Sequence, residues 1–405
     1  MKILQISNKI PYPPSDGGAI AILSLALGIV DLGHELTLLS MNTLKHHYKV
    51  EDIPNEFTSK IRFVTVDVPA KISPLGLLQN YLFSDKPYTA TRFISEDFSL
   101  RLIELFKEDK YDIVQLEGLY LAPYIDLIRQ YSDAKIVMRA HNVEHEIWER
   151  VKENTNHQLK KIYLRNLNKK LKKFELSFLN DYDLLLPITA RDGEQFRSLG
   201  YQKDIYTLVT GIDTSRYKLK SDLCEYPSLF HLGSLDWEPN IEGLRWFLTE
   251  VWPMVLKKQT HLKFYIAGRN ASESTIKYLQ SFNNVIYDGE VSDANAYMNS
   301  KSIMIVPLLS GSGMRIKILE GLALSKVIVS TSIGVEGISI KDGLEMMIAD
   351  SPKIFAEKIL YLVQNPRKYK AMSVAALNFI QKEFDNHTIV AKLMNRYEKL
   401  INEKL

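Results

Sequence analysis

Short apolar runs alternate along the chain with longer segments in which apolar residues recur every three or four positions. The chain opens with MKILQIS, which is typical of a buried strand, and continues through a Pro/Gly loop to the helical pattern AIAILSLALGIVDLG, closed by Gly33. HELTLLS predicts the next strand, and the same order recurs around YDIVQLE, AKIVMRA, DLLLPIT and DIYTLVT. This alternation predicts a parallel sheet covered by helices on both faces.

A second series of strands and helices follows an irregular stretch over residues 211–227. Its six predicted strands are SLFHLGS, LKFYIAG, NVIYDG, SIMIVP, KVIVST and EMMIAD. We therefore expect an α/β protein of two doubly wound, Rossmann-like domains, residues 1–210 and 211–384. The last segment, residues 385–405, is a predicted helix with no strand after it, and we expect it to return to the first domain.

Composition narrows the class of protein. The chain has 405 residues, which favours two domains over one, and it is 46% hydrophobic and 24% charged, as ordinary globular proteins are. Lys and Arg number 51 against 48 for Asp and Glu, so no charge excess favours nucleic acid as a partner. The single cysteine, Cys224, excludes an internal disulfide and fits a reducing cytoplasm. The longest apolar run, residues 19–30, is too short to span a bilayer, and we expect neither a signal peptide nor a membrane anchor.

The stretch PLLSGSGMRIKILEGLA, residues 307–323, follows a predicted strand and carries most of the candidate chemistry. Ligands of open parallel sheets bind beyond the carboxyl ends of the strands. Gly311 and Gly313 let a ligand approach the backbone, while Arg315 and Lys317 add positive charge at a helix start suited to phosphate. Glu320, one turn further on, can accept hydrogen bonds from two neighbouring hydroxyls. The set therefore predicts a nucleoside diphosphate site; the alternative is a surface loop followed by an ordinary solvated helix face.

Two glycines and a histidine are the corresponding candidates in the first half. Gly17 and Gly18 lie between the first strand and its helix, where backbone N–H groups can meet phosphates or sugars, although Asp-Gly-Gly is also ordinary turn chemistry. His141 follows the strand AKIVM and is interpreted either as a structural histidine or as a polar ligand contact. The run HNVEH, residues 141–145, also matches a zinc peptidase pattern, which needs both histidines on one helical face. A strand-to-helix turn between them argues against zinc.

A basic amphipathic helix is predicted over residues 160–178. Leucines and phenylalanines recur along it at spacings of three and four, and lysines and an arginine fill the gaps. The pattern is compatible with a helix on an anionic membrane surface, but such a helix more often packs its apolar stripe on the core and exposes its basic face to solvent.

Taken together, several motifs resemble those of the retaining glycosyltransferases of family 4. The resemblance covers essentially the whole chain and is carried by PPSDGG, LGHELTLLS, RAHNVE, LPIT, GIDTSRY, HLGSLDWEPNIEGLRWF, FYIAGRN, GEVSDANAYM and SGSGMRIKILEGLALSKVIVSTSIGVEGI. It implies a GT-B fold, in which two Rossmann-like domains face each other across a cleft. The second domain would bind a nucleotide-sugar donor, such as a UDP- or GDP-sugar, and the first the acceptor.

The resemblance also implies an activity and its partners. A sugar would be transferred with retention of configuration, without a bound metal or cofactor, to a glycan or lipid-linked acceptor in cell-surface polysaccharide synthesis. A lipid-linked acceptor would place the protein at the inner face of the membrane, with the basic helix 160–178 as the contact. The alternatives are a sugar-nucleotide epimerase on a similar scaffold and a glycosyltransferase-like protein that binds the donor without turnover.

Residue by residue, the family's motifs assign roles to positions of this chain. Glu320 matches the ribose-binding glutamate and His141 the histidine near the reacting sugar; with Arg315 and Lys317 they form the predicted catalytic set. The predicted donor-binding set is Gly17, Gly18, Gly233, Gly268, Arg269, Val291, Gly311, Ser312, Gly313 and Met314.

Two departures from the family pattern affect the predicted donor site. In the family, the glutamate matched by Glu320 closes a pair of acids separated by seven residues, and the first acid of that pair falls on Ser312. Many relatives hold the diphosphate with an Arg and a Lys where this chain has Ser234 and Asn240. We therefore predict that Arg315 and Lys317 replace that clamp.

Overall fold

The computed structural model describes residues 1–14, 16–153, 155, 157–219, 224–311 and 314–403. It divides into two compact units, which we call the N-terminal unit (Met1–Gly211 with Asn386–Leu405) and the C-terminal unit (Ile212–Asp385).

The N-terminal unit contains one parallel sheet of seven strands with helices between them. The strands are β1 (Lys2–Ser7), β2 (Glu35–Asn42), β3 (Arg62–Asp67), β4 (Ile113–Glu117), β5 (Lys135–Ala140), β6 (Leu184–Pro187) and β7 (Asp204–Ile205). The helices are α1 (Gly17–Asp31), α2 (Asn55–Thr58), α3 (Pro74–Phe83), α4 (Tyr88–Thr91), α5 (Glu96–Glu108), α6 (Ile125–Tyr131), α7 (Glu144–Glu153), α8 (Gln158–Ser177) and α9 (Ala190–Ser198). The strand order is β3-β2-β1-β4-β5-β6-β7, so the connections cross from one side of β1 to the other.

The C-terminal unit has a six-stranded parallel sheet in the order β10-β9-β8-β11-β12-β13. Its strands are β8 (Glu225–Leu232), β9 (Phe264–Ala267), β10 (Val285–Gly289), β11 (Lys301–Val306), β12 (Val327–Ser330) and β13 (Met347–Ile348). Its helices are α10 (Glu238–Trp246), α11 (Trp252–Leu256), α12 (Glu273–Gln280), α13 (Ala294–Ser300), α14 (Ile316–Ala323), α15 (Pro352–Gln364) and α16 (Pro366–Glu383), and the chain ends with α17 (Asn386–Asn402).

The predicted α/β class with doubly wound sheets is confirmed, and every apolar run predicted as a strand contains one. Strand β3 was not predicted; its residues RFVTVD are only partly buried at the edge of the sheet. The strand predicted in DIYTLVT is shorter than expected, since only Asp204 and Ile205 pair with β6.

Helix α1 is apolar around most of its circumference because both of its sides are covered. One side packs on the sheet, and the other packs against α17. Gly28 allows the close approach of α17, since a Cβ at that position would lie 2.6 Å from Cγ2 of Val390. The amide of Asn386 donates to the Ser24 carbonyl at 2.7 Å. The last helix of the chain is thus part of the core of the N-terminal unit.

Candidate functional site

Helix α14 carries its predicted charged residues at the carboxyl edge of the C-terminal sheet. Its apolar positions Ile318, Leu319 and Leu322 are fully buried, which fixes the rotation of the helix. Gly321 lets α14 lie against the strands, because a Cβ there would come within 3.0 Å of the Met304 sulfur. With that face inside, Arg315 at the N-cap, Lys317 and Glu320 are half-buried or buried rather than spread over an exposed surface. The solvated-face alternative does not describe them.

Lys317 is anchored at the end of β8. Its Nζ donates to the Leu232 carbonyl oxygen at 2.6 Å. The neighbouring Gly233 leaves room for the ammonium group, since a Cβ on that residue would lie 2.6 Å from Nζ. Burial lowers the pKa of Lys317 to about 8, against the opposing effect of the nearby Glu320 carboxylate. An ammonium group that is costly to keep charged without a counter-ion is well placed to bind an anion.

Beside Lys317 lies a buried histidine that the sequence analysis did not single out. Nδ1 of His231 contacts the Ile305 carbonyl oxygen at 3.0 Å and therefore carries the ring proton, while Nε2 has no hydrogen-bond partner among the described residues. Burial, and secondarily the charge of Lys317, lowers the pKa of His231 to about 3. The imidazole is thus neutral at physiological pH. Its Nε2, which bears the lone pair, lies beside Gly233, because a Cβ on that glycine would be 3.0 Å from Nε2.

Arg315 lies against the indole of Trp237. Its guanidinium carbon is 5.5 Å from the ring centroid, and the residue is 9% exposed. Gly311 closes this cluster: its φ of +98° favours glycine, and a Cβ there would meet both Arg315, at 3.1 Å, and Trp237, at 3.3 Å. The predicted donor residues Ser312 and Gly313 lie outside the described residues; Met314 is half-buried.

Glu320 is held by a tyrosine from the start of the C-terminal unit. The hydroxyl of Tyr217 donates to Oε1 of Glu320 at 3.1 Å. Burial raises the pKa of the Glu320 carboxyl, although the Tyr217 hydrogen bond and the charge of Lys317 act in the opposite direction. Its remaining acceptor positions suit a ligand that presents hydroxyl groups.

The other predicted donor residues follow neighbouring strands of the same sheet. Gly268 approaches the chain after β8 so closely that a Cβ would lie 1.7 Å from the Gly233 carbonyl oxygen. Arg269 is exposed at the end of β9, and Val291 is half-buried just after β10. Asn240 is buried and its amide donates to the Ser234 carbonyl at 2.8 Å, so it closes the loop between β8 and α10.

In the N-terminal unit, His141 belongs to a buried hydrogen-bond network. Its Nε2 lies 2.9 Å from Oε2 of Glu117, the last residue of β4, and Arg139 lies 3.5 Å from the same oxygen. The amides of Gln5 and Gln115 donate to the other carboxylate oxygen, at 2.6 and 2.5 Å.

This network fixes the charge of Glu117 and the tautomer of His141. Burial opposes ionisation of Glu117, but the charge of Arg139 and the hydrogen bond from His141 outweigh it and lower its pKa to about 2. An ionised carboxylate only accepts hydrogen bonds, so Nε2 of His141 carries a proton. Nδ1 is then the ring atom that can meet a ligand.

Gly17 and Gly18 form the first turn of α1, whereas the sequence pattern placed them in the loop before that helix. Asp16 caps the helix by accepting from the Ala19 N–H at 2.9 Å, and Lys9 contacts both oxygens of Asp16 at 2.6 Å. Among the described residues, no atom lies within 4 Å of where a Cβ on Gly17 would be, which leaves space beside the backbone there.

The zinc peptidase alternative is wrong. His141 contacts Glu117, whereas Nδ1 of His145 lies 2.5 Å from Glu175 of α8. Glu144, between them, accepts from the Tyr120 hydroxyl at 2.8 Å, and burial raises its pKa to about 7. Among the described residues, no group of three His, Cys, Asp or Glu side chains could hold a metal ion.

The apolar stripe of the predicted basic helix packs inside the N-terminal unit. Leu164, Leu167, Leu171 and Phe174 of α8 are all buried. The stripe itself is therefore not a membrane-facing surface. Within the described part of the chain, no helix is both long enough and apolar enough to cross a bilayer.

Among the residues of these sites that were not predicted, Glu117, His231 and Tyr217 contact the predicted ones most directly. Glu117 ends a predicted strand, and His231 lies one residue before the end of another, so inspection of every strand end would have found them. Nothing in the sequence pattern of Tyr217 indicates that it reaches Glu320, 103 positions away.

Comparison with solved structures defines the fold. Sucrose-phosphate synthase from Thermosynechococcus elongatus superposes with a TM-score of 0.70 at 12% identity, each chain being covered completely. Anabaena HepE in complex with UDP superposes with a TM-score of 0.67 at 13% identity over 98% of this chain and 100% of HepE. The chain therefore has the GT-B fold of these glycosyltransferases.

Sequence comparison defines the family. Residues 15–216 match the model of Glycosyltransferase Family 4, and residues 226–365 match that of Glycosyl transferases group 1. The chain belongs to glycosyltransferase family 4. A protein from Klebsiella pneumoniae, described as an uncharacterized 44.6 kDa protein in the cps region, is 27% identical over 97% of this chain and 98% of its own length.

Proposed function

We propose that this glycosyltransferase moves a sugar from a nucleotide-diphosphate sugar, with UDP as the preferred nucleotide, to a glycan or lipid-linked acceptor, with retention of configuration. The proposal is carried by two side chains of α14. Lys317 is a cation held in a low-dielectric environment by the Leu232 carbonyl, and Glu320 is a carboxylate that can accept further hydrogen bonds. Together they suit the charge of a diphosphate and the hydroxyls of a ribose. HepE in its complexes with UDP and with UDP-glucose supports the choice of nucleotide.

The proposed chemistry needs no metal. As the bond between sugar and diphosphate breaks, negative charge develops on the leaving phosphate. Lys317, Arg315 and the N-terminus of α14 would stabilise that charge in place of a divalent cation. The proposal therefore expects unchanged turnover in EDTA; activity lost in EDTA and restored by manganese would contradict the metal-independent part.

In the same proposal, His141 contacts the transferred sugar. The network around Glu117 holds Nε2 protonated and the ring in one orientation, so that Nδ1 is presented with a fixed position. Gly17, Gly18, Gly233, Gly268 and Val291 would supply backbone contacts to the donor, and the side chain of Arg269 a further positive charge.

A role in polysaccharide synthesis is part of the proposal, and it is supported by the Klebsiella relative described as lying in the cps region. An acceptor carried on a lipid would bring the protein to a membrane as a peripheral contact. Product analysis by NMR tests the stereochemistry: the transferred sugar should keep the anomeric configuration it had in the donor, and an inverted product would overturn retention.

The ribose assignment of Glu320 is tested by calorimetric titration with UDP and 2′-deoxy-UDP. Glu320→Ala should weaken UDP more than the deoxy analogue, because the analogue has one hydroxyl fewer to lose. Arg315→Ala and Lys317→Ala should weaken both ligands alike, since the diphosphate is shared. Glu357→Ala, an exposed carboxylate on α15, is the matched control and should change neither affinity. Equal losses for the two ligands with Glu320→Ala would remove the ribose assignment.

A further inference from the structure

Helix α8 presents a strongly basic outer face. Of its charged residues, only Glu175 is acidic, and that side chain is buried beneath α7. With the apolar stripe packed inside, the exposed positions are mostly cations: Lys160, Lys161, Arg165, Lys169, Lys172 and Lys173. Two large apolar side chains of α8 are exposed as well, Ile162 at 57% and Leu176 at 37%.

Helix α3 presents the opposite chemistry. It has no charged residue and no buried one. Large apolar side chains on and just before it are more than half exposed, with Phe83 at 84%: Ile72, Leu75, Leu78, Leu82 and Phe83. Leu75, Leu78 and Leu82 recur at spacings of three and four, so they share one face of the helix. A contiguous apolar face of this kind on a globular unit marks an interaction surface.

The two helices are fastened side by side. Nζ of Lys170, on α8, donates to the carbonyl oxygens of Asn80 and Tyr81 in the last turn of α3, at 2.8 and 3.2 Å. The rings of Tyr81 and Tyr163 are 6.1 Å apart. The apolar face of α3 and the basic face of α8 therefore lie on neighbouring helices of the N-terminal unit, and we call the two together the α3–α8 surface.

We propose that the α3–α8 surface docks on an anionic lipid bilayer. The leucines of α3 and Phe83 would enter the interface between head groups and acyl chains, and the cations of α8 would face the lipid phosphates. Charge complementarity identifies the occupant: a cationic helix beside an uncharged apolar one matches a surface that is anionic outside and apolar within. A second copy of the chain would instead bring two basic helices together.

The proposal deepens the proposed function by bringing the enzyme to the layer in which a lipid-linked acceptor resides, and in that respect it rests on that function. Vesicle binding itself needs neither donor nor acceptor. The docking surface and the glycosyltransferase activity can therefore fail independently of each other.

Flotation with vesicles tests the proposal. The full chain should bind vesicles of phosphatidylcholine with phosphatidylglycerol, bind vesicles of phosphatidylcholine alone much more weakly, and dissociate as salt is raised. The double variant Leu78→Glu/Leu82→Glu should lower binding at least about tenfold. Lys169→Glu/Lys173→Glu should lower binding to the anionic vesicles by a similar factor. Sugar transfer to a water-soluble acceptor should be unchanged in both.

Matched controls separate this surface from general effects of charge. Val374→Glu replaces an apolar side chain that is 60% exposed on α16, and Lys257→Glu/Lys258→Glu reverses two exposed cations after α11. Both should bind anionic vesicles like the parent. If the parent does not bind, or if the α3 and α8 variants bind as the controls do, the proposal is overturned. It is also overturned if light scattering shows a dimer that Leu78→Glu/Leu82→Glu dissociates while vesicles remain unbound.

Discussion

Two carboxylates, the buried Glu117 of the N-terminal unit and the half-buried Glu320 of the C-terminal unit, differ in how fully their hydrogen-bonding capacity is used. Glu117 accepts from His141, Gln5 and Gln115 and faces the charge of Arg139, and its pKa falls to about 2. Glu320 accepts one hydrogen bond from the described residues, from Tyr217, and burial raises its pKa. Both lie near the carboxyl edge of a parallel sheet.

The difference separates a positioning carboxylate from a binding one. The hydrogen-bonding capacity of Glu117 is taken up by its protein partners, and we call this the saturated site. The role of Glu117 is therefore to fix the tautomer and position of His141. Glu320 keeps acceptor capacity, and Lys317 beside it is a cation whose pKa is lowered by burial. The site of Lys317 and Glu320 can still bind hydroxyl groups and an anion, and we call it the incomplete site. Substitutions there should alter ligand affinity more than stability.

The largest expected effect comes from breaking the saturated site. Glu117→Ala leaves Arg139 buried without its counter-charge, which should lower the free energy of unfolding by about 3–5 kcal/mol in urea titrations at neutral pH. The folded pKa of Glu117 is below the unfolded value, so this stabilisation is present above about pH 4.5 and is lost as the pH falls toward 2.

Glu104→Ala is the control for that measurement. Glu104 is an exposed carboxylate in the same unit that contacts Arg101 at 2.8 Å, and its loss should change the stability by about 0.5 kcal/mol or less. If the two variants lost similar amounts of unfolding free energy, Glu117 would contribute no more than an ion pair at the protein surface does.

The fold was largely predictable because apolar periodicity is a local property of the sequence. Strands such as β4 and β11 are buried on both faces and read as continuous apolar runs. The edge strand β3 was missed because its partial burial leaves a mixed pattern. The α8 stripe was correctly recognised as amphipathic, but the pattern alone does not say whether the stripe packs on the core or on a membrane.

The candidate site was predictable only where one segment carries several of its residues. Arg315, Lys317 and Glu320 lie within six positions, so a helix start places them together. The network of His141 and Glu117 joins two strands, and the contact of Tyr217 with Glu320 joins a loop to a helix far along the chain. Such contacts depend on tertiary packing, which no local pattern encodes. The polar role of His231 likewise depends on its burial.

The next largest effect is expected at the incomplete site. Lys317→Met should lower the rate of sugar transfer by about two to three decades, because one fixed cation at the leaving diphosphate is lost. Its stability should stay within about 1 kcal/mol of the parent, since the neutral side chain no longer bears the cost of a buried charge. Lys257→Met, an exposed substitution, should change neither. If Lys317→Met lost much stability but transferred sugar at the normal rate, Lys317 would be a structural residue and not a ligand-binding one.

A smaller effect is expected from the neutral imidazole beside Lys317. The unfolded chain protonates His231 below its ordinary pKa of 6.5, whereas the folded chain resists protonation down to about 3. The unfolded state therefore binds more protons in that interval, and stability should fall with falling pH by up to about 1.4 kcal/mol per pH unit from this residue alone. Urea titrations at pH 6, 5 and 4 should show a shallower decline for His231→Gln, and the parent's slope for His261→Gln, an exposed histidine. Identical slopes for His231→Gln and the parent would refute the buried neutral state.

The smallest effect should come from Tyr217→Phe, which removes the one hydrogen bond that the described residues give Glu320. Because that bond favours the charged carboxylate, its loss should raise the pKa of Glu320 further. UDP affinity at neutral pH should fall by about threefold to tenfold, the size of one ordinary hydrogen bond, because Tyr217 positions Glu320 and does not itself contact the ligand. The decline of affinity on acidification should begin at a higher pH than in the parent, since the ribose hydroxyls need an ionised acceptor. Glu320→Gln should bind weakly at every pH and show no such decline. If Tyr217→Phe titrates with UDP as the parent does across the whole pH range, then Tyr217 does not tune Glu320, and the contrast with the saturated Glu117 rests on burial alone.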